Sequence, residues 1–115
     1  MSLAKAILIG RVGKDPVTNV KGDYVITDFS VAVSEKVKGQ EKTTWFKVSV
    51  FGNQGEYVKK YIKKGTLVFV EGKLTVQEYT GKDGQQKTSI NVTANEVKAL
   101  SFNNNKENNE SADPF

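Results

Sequence analysis

Residues 43–52, TTWFKVSVFG, decide the fold because their side chains alternate in character. In an extended strand, successive side chains point to opposite faces. One face of this strand is apolar and suits a hydrophobic core, since it carries Phe46, Val48 and Val50. The opposite face carries Trp45, Lys47, Ser49 and Phe51. Burying that face would bury a lysine, whereas exposing it would leave the only tryptophan of the chain in water. The alternation therefore favours an outer face that binds a ligand.

Branched and aromatic residues on either side of this stretch predict four more strands. The five strands are expected at residues 3–12, 24–36, 43–51, 66–79 and 86–99. The segments GKDPVTNVKGD at 13–23 and VKGQEK at 37–42 are polar and contain turn residues, so both are predicted to be connections. Asp83-Gly84, between the last two strands, is a strong signal for a β-hairpin.

One short helix of two to three turns is predicted within residues 53–65, NQGEYVKKYIKKG. Its apolar residues recur at helical spacing, and Gly65 stands where a helix C-cap is expected. Those apolar residues are Tyr57, Val58, Tyr61 and Ile62, and the opposite side carries Lys59, Lys60, Lys63 and Lys64. The lysines suit a solvated face that favours the C-terminal end of the helix dipole, and contact with nucleic acid is the alternative.

This element order predicts an all-β fold with one short helix. Five strands with a helix between the third and the fourth are the layout of an OB-fold, a partly open barrel that commonly binds oligonucleotides or oligosaccharides. Gly72, inside the fourth strand, suits the bend of a barrel corner. We expect the barrel to span residues 1–100. Residues 101–115 hold five asparagines and three acids, which predicts a short disordered tail.

The composition argues against an enzyme. The chain has no cysteine and no histidine, which excludes disulfides, the usual zinc sites and the commonest nucleophiles and bases. No P-loop pattern occurs, and the carboxylates that magnesium would need are scattered over Asp15, Asp23, Asp28, Glu71 and Glu78. We therefore expect no catalytic residue, metal or cofactor. The sequence has no long apolar segment and no signal-peptide pattern, so we expect a cytoplasmic protein with no membrane partner.

The charge is unevenly distributed along the chain. Residues 1–100 carry 16 basic and 10 acidic side chains, a net charge of +6, whereas residues 101–115 have a net charge of −2. A basic body suggests a polyanionic partner, and an acidic tail suggests a different partner. A merely solvated surface is the alternative explanation of the charge.

Aromatic rings interleaved with basic residues on one strand face are what single-stranded nucleic acid requires. Bases stack on exposed rings, and lysines pair with phosphates along the same groove. The fourth strand repeats the alternation, with Lys73 and Tyr79 on the face that continues from Leu67 and Phe69. The candidate stacking platforms are Trp45, Phe51 and Tyr79, and the candidate phosphate contacts are Lys47, Arg11 and Lys73. Packing in the core for the rings, and solubility for the basic residues, are the alternative roles.

Four blocks of the sequence resemble, in order and spacing, the motifs of bacterial single-stranded DNA-binding proteins, the SSB family. The blocks are ILIGRVGKDP at 7–16, TTWFKVSVFG at 43–52, YIKKGTLVFVEGKLTV at 61–76 and GKDGQQKT at 81–88. The resemblance implies a homotetramer that binds single-stranded DNA on the nucleoid in replication, recombination and repair. It also implies base stacking at Trp45, Phe51 and Tyr79.

The last three residues, Asp113, Pro114 and Phe115, extend the resemblance to the family's acidic tip, which recruits other genome-maintenance proteins. The chain departs from the family at Val37 and Thr88, where other members often carry aromatic residues, so one platform is expected to be missing. Phe46 replaces a common histidine, and we expect it to point inward or to lie at an assembly surface.

Three rival functions remain open at this point. The first is an OB module whose groove takes a protein or an oligosaccharide, against which the net charge of +6 argues in the case of neutral glycans. The second is an RNA-binding module, since no residue is assigned to a 2′-hydroxyl. The third is a nuclease or nucleotidyl enzyme, which lacks the carboxylate cluster that it would need.

Overall fold

The structure is a computed structural model, and it describes residues 2–101. In chain order the elements are β1 (Lys5–Val12), β2 (Val17–Lys21), β3 (Tyr24–Val37), β4 (Gln40–Phe51), α1 (Gln54–Tyr61), β5 (Leu67–Thr80) and β6 (Gln86–Ala99). Five strands form a ring in the order β1-β5-β6-β4-β3, which closes where β3 pairs with β1. The predicted five-stranded barrel with one short helix is confirmed.

The contact between β4 and β6 is the parallel pairing of this ring. It joins Lys47 to Asn91, Val48 to Val92 and Ser49 to Thr93, whereas the other strand pairs are antiparallel. Parallel neighbours need a long crossover connection. Helix α1 and strand β5 lie in that connection, so the helix between the third and fourth predicted strands is what lets the barrel close.

The hydrophobic core fills the ring and confirms the inner face assigned to β4. Val48 and Val50 are fully buried, and Phe46 is half-buried and packs against the core. The buried cluster also takes residues from the other ring strands and the helix: Leu8, Val12, Phe29, Val31, Val58, Ile62, Val68, Val70, Val92 and Val97. Each fully buried valine contributes about 1.5–3 kcal/mol relative to an exposed one. Of the two positions expected for Phe46, the inward one is observed.

Helix α1 packs against the core, but it ends earlier than the sequence predicts. Its last residue is Tyr61, and Ile62 follows in an extended conformation with its side chain fully buried. Gly65 is therefore not the C-cap. It lies three residues beyond Ile62 at φ 91°, and its N–H donates a hydrogen bond of 2.8 Å to the carbonyl of Val12. Burial of Ile62 takes precedence over continuing the helix to the glycine.

The connection predicted at residues 13–23 contains strand β2, which is a correction. Strand β2 pairs with β3 along the edge of the sheet through the two-residue loop Gly22-Asp23. Gly22 has φ 60°, as the first residue of a type II′ hairpin turn requires. The strand escapes sequence analysis because Val17 and Val20, three residues apart, cannot show an alternating pattern, and both are exposed.

The connection predicted at residues 37–42 is also shorter in the structure. Val37 pairs with Gln40, so the turn is only Lys38-Gly39, and both residues have positive φ, as a type I′ turn requires. The predicted hairpin at Asp83-Gly84 is confirmed, with Thr80 paired to Gln86. Both hairpins extend past the core, since residues 34–45 are exposed, as are residues 75–88 apart from Gly81. We call these segments the β3–β4 arm and the β5–β6 arm.

The bend predicted at Gly72 is confirmed by a shift of register between β5 and β6. Glu71 pairs with Glu96, but Gly72 pairs with Ala94, so one residue of β6 has no partner at that point. A Cβ atom at Gly72 would lie 2.8 Å from the Cα of Ala94, so a side chain is excluded by close approach of the strands.

Within residues 2–101, no helix has both the length and the apolar content to cross a membrane.

Candidate functional site

The outer face of β4 carries the rings that the alternation of residues 43–52 predicts there. Trp45 is 55% exposed and Phe51 is 48% exposed, although their neighbours Val48 and Val50 are fully buried. Because β4 is paired on both edges, its inner residues determine which way the others point. The interpretation of Trp45 as a core residue is therefore wrong, and the ring is available to a ligand.

Two depressions lie side by side on this outer face. The Trp45 depression is lined by Ser30, Trp45, Phe46, Lys47, Tyr79, Thr88, Ser89 and Ile90. The Phe51 depression is lined by Lys21, Ile26, Asp28, Lys47, Ser49, Phe51, Thr75, Asn91 and Thr93. Lys47 lines both, so the depressions adjoin at its side chain, and we call the two together the groove. The groove gathers the three candidate platforms and Lys47 on one surface.

The arms bring Tyr79 opposite Trp45. Strands β4 and β6 pair only from Lys47 to Ser49 on β4, so beyond Lys47 the β3–β4 arm separates from the β5–β6 arm. Trp45 lies on the first arm, and Tyr79, 48% exposed, lies on the second, where it pairs with Lys87. The Trp45 depression between the arms is thus open, with an aromatic side chain on each wall.

The backbone of Gly13 supports the indole ring of Trp45. A Cβ atom at Gly13 would lie 2.8 Å from Cη2 of Trp45 and closer still to Cζ3. The N–H of Gly13 donates a hydrogen bond of 2.9 Å to the carbonyl of Ser30, which holds this backbone against β3. The role of Gly13 cannot be predicted from the sequence, because nothing in residues 7–16 shows that a ring from β4 rests on it.

Arg11 and Lys73 flank the groove but do not line it. Arg11 pairs with Ala32, which pairs with Trp45, so all three side chains share a face. The Nη1 of Arg11 donates a hydrogen bond of 3.1 Å to the carbonyl of Gly65. Lys73 is exposed and pairs with Thr93, a residue of the Phe51 depression. Of the six predicted residues, the groove itself therefore brings together Trp45, Phe51, Tyr79 and Lys47.

The floor of the groove is polar and includes one acid. Ser49 Oγ donates a hydrogen bond of 2.7 Å to Asp28 Oδ1. Ser89 Oγ donates to Asn91 Oδ1 at 2.8 Å, and Asn91 Nδ2 donates to Gln77 Oε1 at 3.1 Å. A carboxylate repels phosphate, so this floor suits the hydrogen-bonding edges of bases, while the lysines suit the phosphates. Asp28 was predicted only as one of the scattered acids.

The departures from the family pattern also have places in the structure. Val37 lies in the β3–β4 arm and is partly exposed, and Thr88 lines the Trp45 depression without offering a ring. The predicted tail residues Asp113, Pro114 and Phe115 lie outside the described residues. Within residues 2–101, no group of three or more His, Cys, Asp or Glu side chains could hold a metal ion.

The support of Trp45 by Gly13 can be tested with the tryptophan itself. Gly13→Ala should displace the indole, because the added methyl occupies the space of the ring, and it should shift the emission maximum and the acrylamide quenching of Trp45. The ring can yield toward solvent, so the loss of stability should stay within about 0.5 kcal/mol. Thr88→Ala, in the same depression, is the control and should leave the emission unchanged. Identical spectra for Gly13→Ala and the original protein would show that the ring does not rest on Gly13.

The chain matches a known protein family. The model of the single-strand binding protein family matches residues 3–100. A single-stranded DNA-binding protein of Neisseria meningitidis serogroup A is 41% identical over 110 residues, which cover 90% of this chain and 63% of that protein. The present chain thus spans less than two thirds of the length of that relative.

Two solved structures share the fold. A Plasmodium falciparum SSB in complex with ssDNA superposes with a TM-score of 0.72 at 31% identity, covering 88% of this chain and 97% of that one. A small single-stranded DNA-binding protein from Streptomyces coelicolor gives a TM-score of 0.73 at 22% identity, covering 86% of this chain and 95% of that one. The barrel is the OB-fold that was predicted, and with the family model matching nearly all the described residues, the chain belongs to the single-strand binding protein family.

Proposed function

We propose that this chain binds single-stranded DNA in the groove without sequence preference. The observation that carries the proposal is the alternation of β4, which exposes Trp45 and Phe51 on either side of Lys47 while its other face is buried. Membership of the single-strand binding protein family supports it, as does the DNA held by the similar Plasmodium protein.

The proposed mechanism is binding without chemical change. Every base has a π-face, so stacking on Trp45, Phe51 and Tyr79 accepts any sequence, and a phosphate contact from Lys47 reads no base. Bases in duplex DNA already stack on each other, so they cannot use these platforms. The groove should therefore select single strands. Arg11 and Lys73, on the flanks of the groove, would contact phosphates where the DNA strand enters and leaves the groove. The mechanism needs no catalytic residue, metal or cofactor.

In the cell, this activity would protect the single strands that arise in DNA replication, recombination and repair. The protein would then work on the nucleoid in the cytoplasm, where those strands form. Coating of any exposed strand requires that the site tolerate every sequence, and stacking with phosphate contact meets that requirement.

Titration with long oligo-dT at several salt concentrations tests the proposed groove. Trp45 is the only tryptophan, so saturable quenching of its fluorescence reports bases at this ring. Trp45→Ala should weaken binding, measured by anisotropy of labelled oligo-dT, by about 1–3 kcal/mol, or about 5- to 150-fold. Lys47→Gln should make the slope of log K against log salt less negative by about 0.7.

The matched control is Tyr61→Ala, because Tyr61 is also a partly exposed ring but lies on α1, outside the groove. It should bind oligo-dT like the original protein. Competition with an RNA strand of equal length and with duplex DNA completes the design. An unquenched Trp45 despite binding, or equal affinity for duplex DNA, would contradict the proposed groove.

We further propose that the chain assembles with copies of itself, as a homotetramer. Strand β1 pairs with β3 only at Arg11 and Val12, and Gly10 still lies against Ala32, so within the described chain the edge from Lys5 to Ile9 has no strand paired to it. On the outer face of this strand Ile7 is 66% exposed, and Ile9 is also exposed. An exposed edge with apolar side chains favours pairing with another chain. This surface would supply one of the contacts that a tetramer needs.

Ile7→Lys tests this assembly surface. A lysine at that position would place a charge in the proposed contact, so the mass in solution should fall, as measured by light scattering after gel filtration. Val76→Lys is the control, because Val76 is about equally exposed but lies on the β5–β6 arm. An unchanged mass for Ile7→Lys would reject β1 as an assembly surface.

We also propose that residues 101–115 form a tail separate from the barrel at 1–100. Their net charge of −2 contrasts with the +6 of the body. We propose that Asp113, Pro114 and Phe115 dock on other genome-maintenance proteins through the ring and the terminal carboxylate of Phe115.

Deletion of residues 113–115 should abolish capture of such partners by the immobilised protein and leave the Trp45 titration with oligo-dT unchanged. Deletion of residues 103–105, three asparagines from the same segment, is the control and should preserve capture. Equal capture by both deletions and the full chain would reject the tip as a docking motif.

A further inference from the structure

The β2–β3 hairpin presents an aromatic ring that the groove as described does not use. Tyr24 is 66% exposed, more than Trp45, Phe51 or Tyr79. By comparison, Tyr57 on α1 accepts a hydrogen bond from the N–H of Ala99 and packs on Tyr61 with ring centroids 4.9 Å apart. Within residues 2–101, Tyr24 has no such contact.

The register of the strands places Tyr24 on the same face as the groove. Phe51 pairs with Ile26, and directly paired residues point to the same side. Tyr24 is two residues before Ile26 on β3, so it shares that side and is the diagonal neighbour of Phe51. Such diagonal neighbours are about 7–8 Å apart, within reach of aromatic side chains.

Tyr24 also lies on the line that the other platforms define. Strand β4 runs from Trp45 to its last residue, Phe51, and β3 runs antiparallel beside it from Tyr24 toward Ala32. Tyr24 therefore comes directly after Phe51 for a strand of DNA that follows the groove from Trp45 to Phe51.

A basic side chain accompanies this ring. Lys21 pairs directly with Tyr24 across the hairpin, and it lines the Phe51 depression together with Lys47. A ring next to a lysine repeats the combination found at Trp45 and Lys47 on β4. Ring and charge together suit a nucleotide, whose base stacks while its phosphate meets the lysine.

We propose that the β2–β3 hairpin lengthens the groove by one base-stacking position, with Tyr24 as the platform and Lys21 as the phosphate contact. This inference rests on the proposed binding of single-stranded DNA. The occupant is a further nucleotide of the same DNA strand, because the surface is continuous with the Phe51 depression and carries the complementary charge.

The test compares oligo-dT strands whose lengths span roughly 4 to 16 nucleotides per barrel. Quenching of Trp45 reports binding in every variant, since Tyr24 contributes no tryptophan signal. Tyr24→Ala should bind the shortest strands like the original protein and the longest strands about 5- to 150-fold more weakly. Tyr24→Phe keeps the ring and should restore binding of the long strands.

Val20→Ala is the matched control, because Val20 is an exposed residue of the same hairpin that points to the opposite face. It should bind strands of all lengths normally. Lys21→Gln should make the salt slope for long strands less negative by about 0.7. A 5-iododeoxyuridine placed along the long strand should crosslink to Tyr24 on irradiation.

The outcomes separate this inference from the function on which it rests. If no oligo-dT quenches Trp45 in the original protein, the proposed function itself fails. If quenching is normal but Tyr24→Ala matches the original protein at every length, the hairpin position is rejected. Equal losses of affinity for short and long strands would mean that Tyr24 acts only through the structure of the hairpin. Equal losses in Tyr24→Ala and Val20→Ala would mean the same. Either outcome rejects the hairpin stacking position.

Discussion

The pairing of β4 on both of its edges is the constraint on which the rest of the structure depends. Strand β3 pairs along its length and β6 pairs parallel at its centre, so β4 cannot rotate, and Val48 and Val50 are held in the core. A slip of one residue would exchange the two faces and bury Lys47. The cost of burying that charge unpaired enforces the register. Exposure of Trp45 and Phe51 is thus a consequence of barrel closure.

The groove offers two kinds of contact: polar groups on its floor and lysines at its sides. On the floor, the carboxylate of Asp28 repels phosphate, and the neighbouring amide and hydroxyl groups are hydrogen-bonded to side chains around them. Lys21 and Lys47 line the same depression from β2 and β4. A polyanion would therefore lie with its phosphates toward the lysines and its bases over the floor. The rings on the walls would then accept the bases by their faces, as proposed. The proposed site would tolerate any sequence, because stacking and charge do not depend on base identity.

Sequence patterns predicted the strands that pair with a strand adjacent in the sequence and those whose polar and apolar side chains alternate clearly. Strand β6 begins and ends where its pattern places it, and the outward set on β4 follows from a period of two. Strand β2 was missed because an edge strand with exposed valines has no buried face to impose a pattern. Gly13, Lys21 and Asp28 were missed for a different reason. Their roles depend on which strands become neighbours, and that information lies in the closed ring and not in any segment of the sequence.

The same ring keeps the proposed assembly surface out of the two depressions. The residues that line the two depressions come from β2, β3, β4, β5 and β6, and none of those that the structure describes comes from β1. Strand β1 lies between β5 and β3, and it carries Ile7 and Ile9 on its outer face. Its edge from Lys5 to Ile9 has no strand paired to it within the described residues. A second copy could pair there without covering Trp45 or Lys47. Because β1 lines neither depression, the proposed assembly through its Lys5–Ile9 edge would leave the groove open, while Arg11, at the other end of the strand, would still flank it.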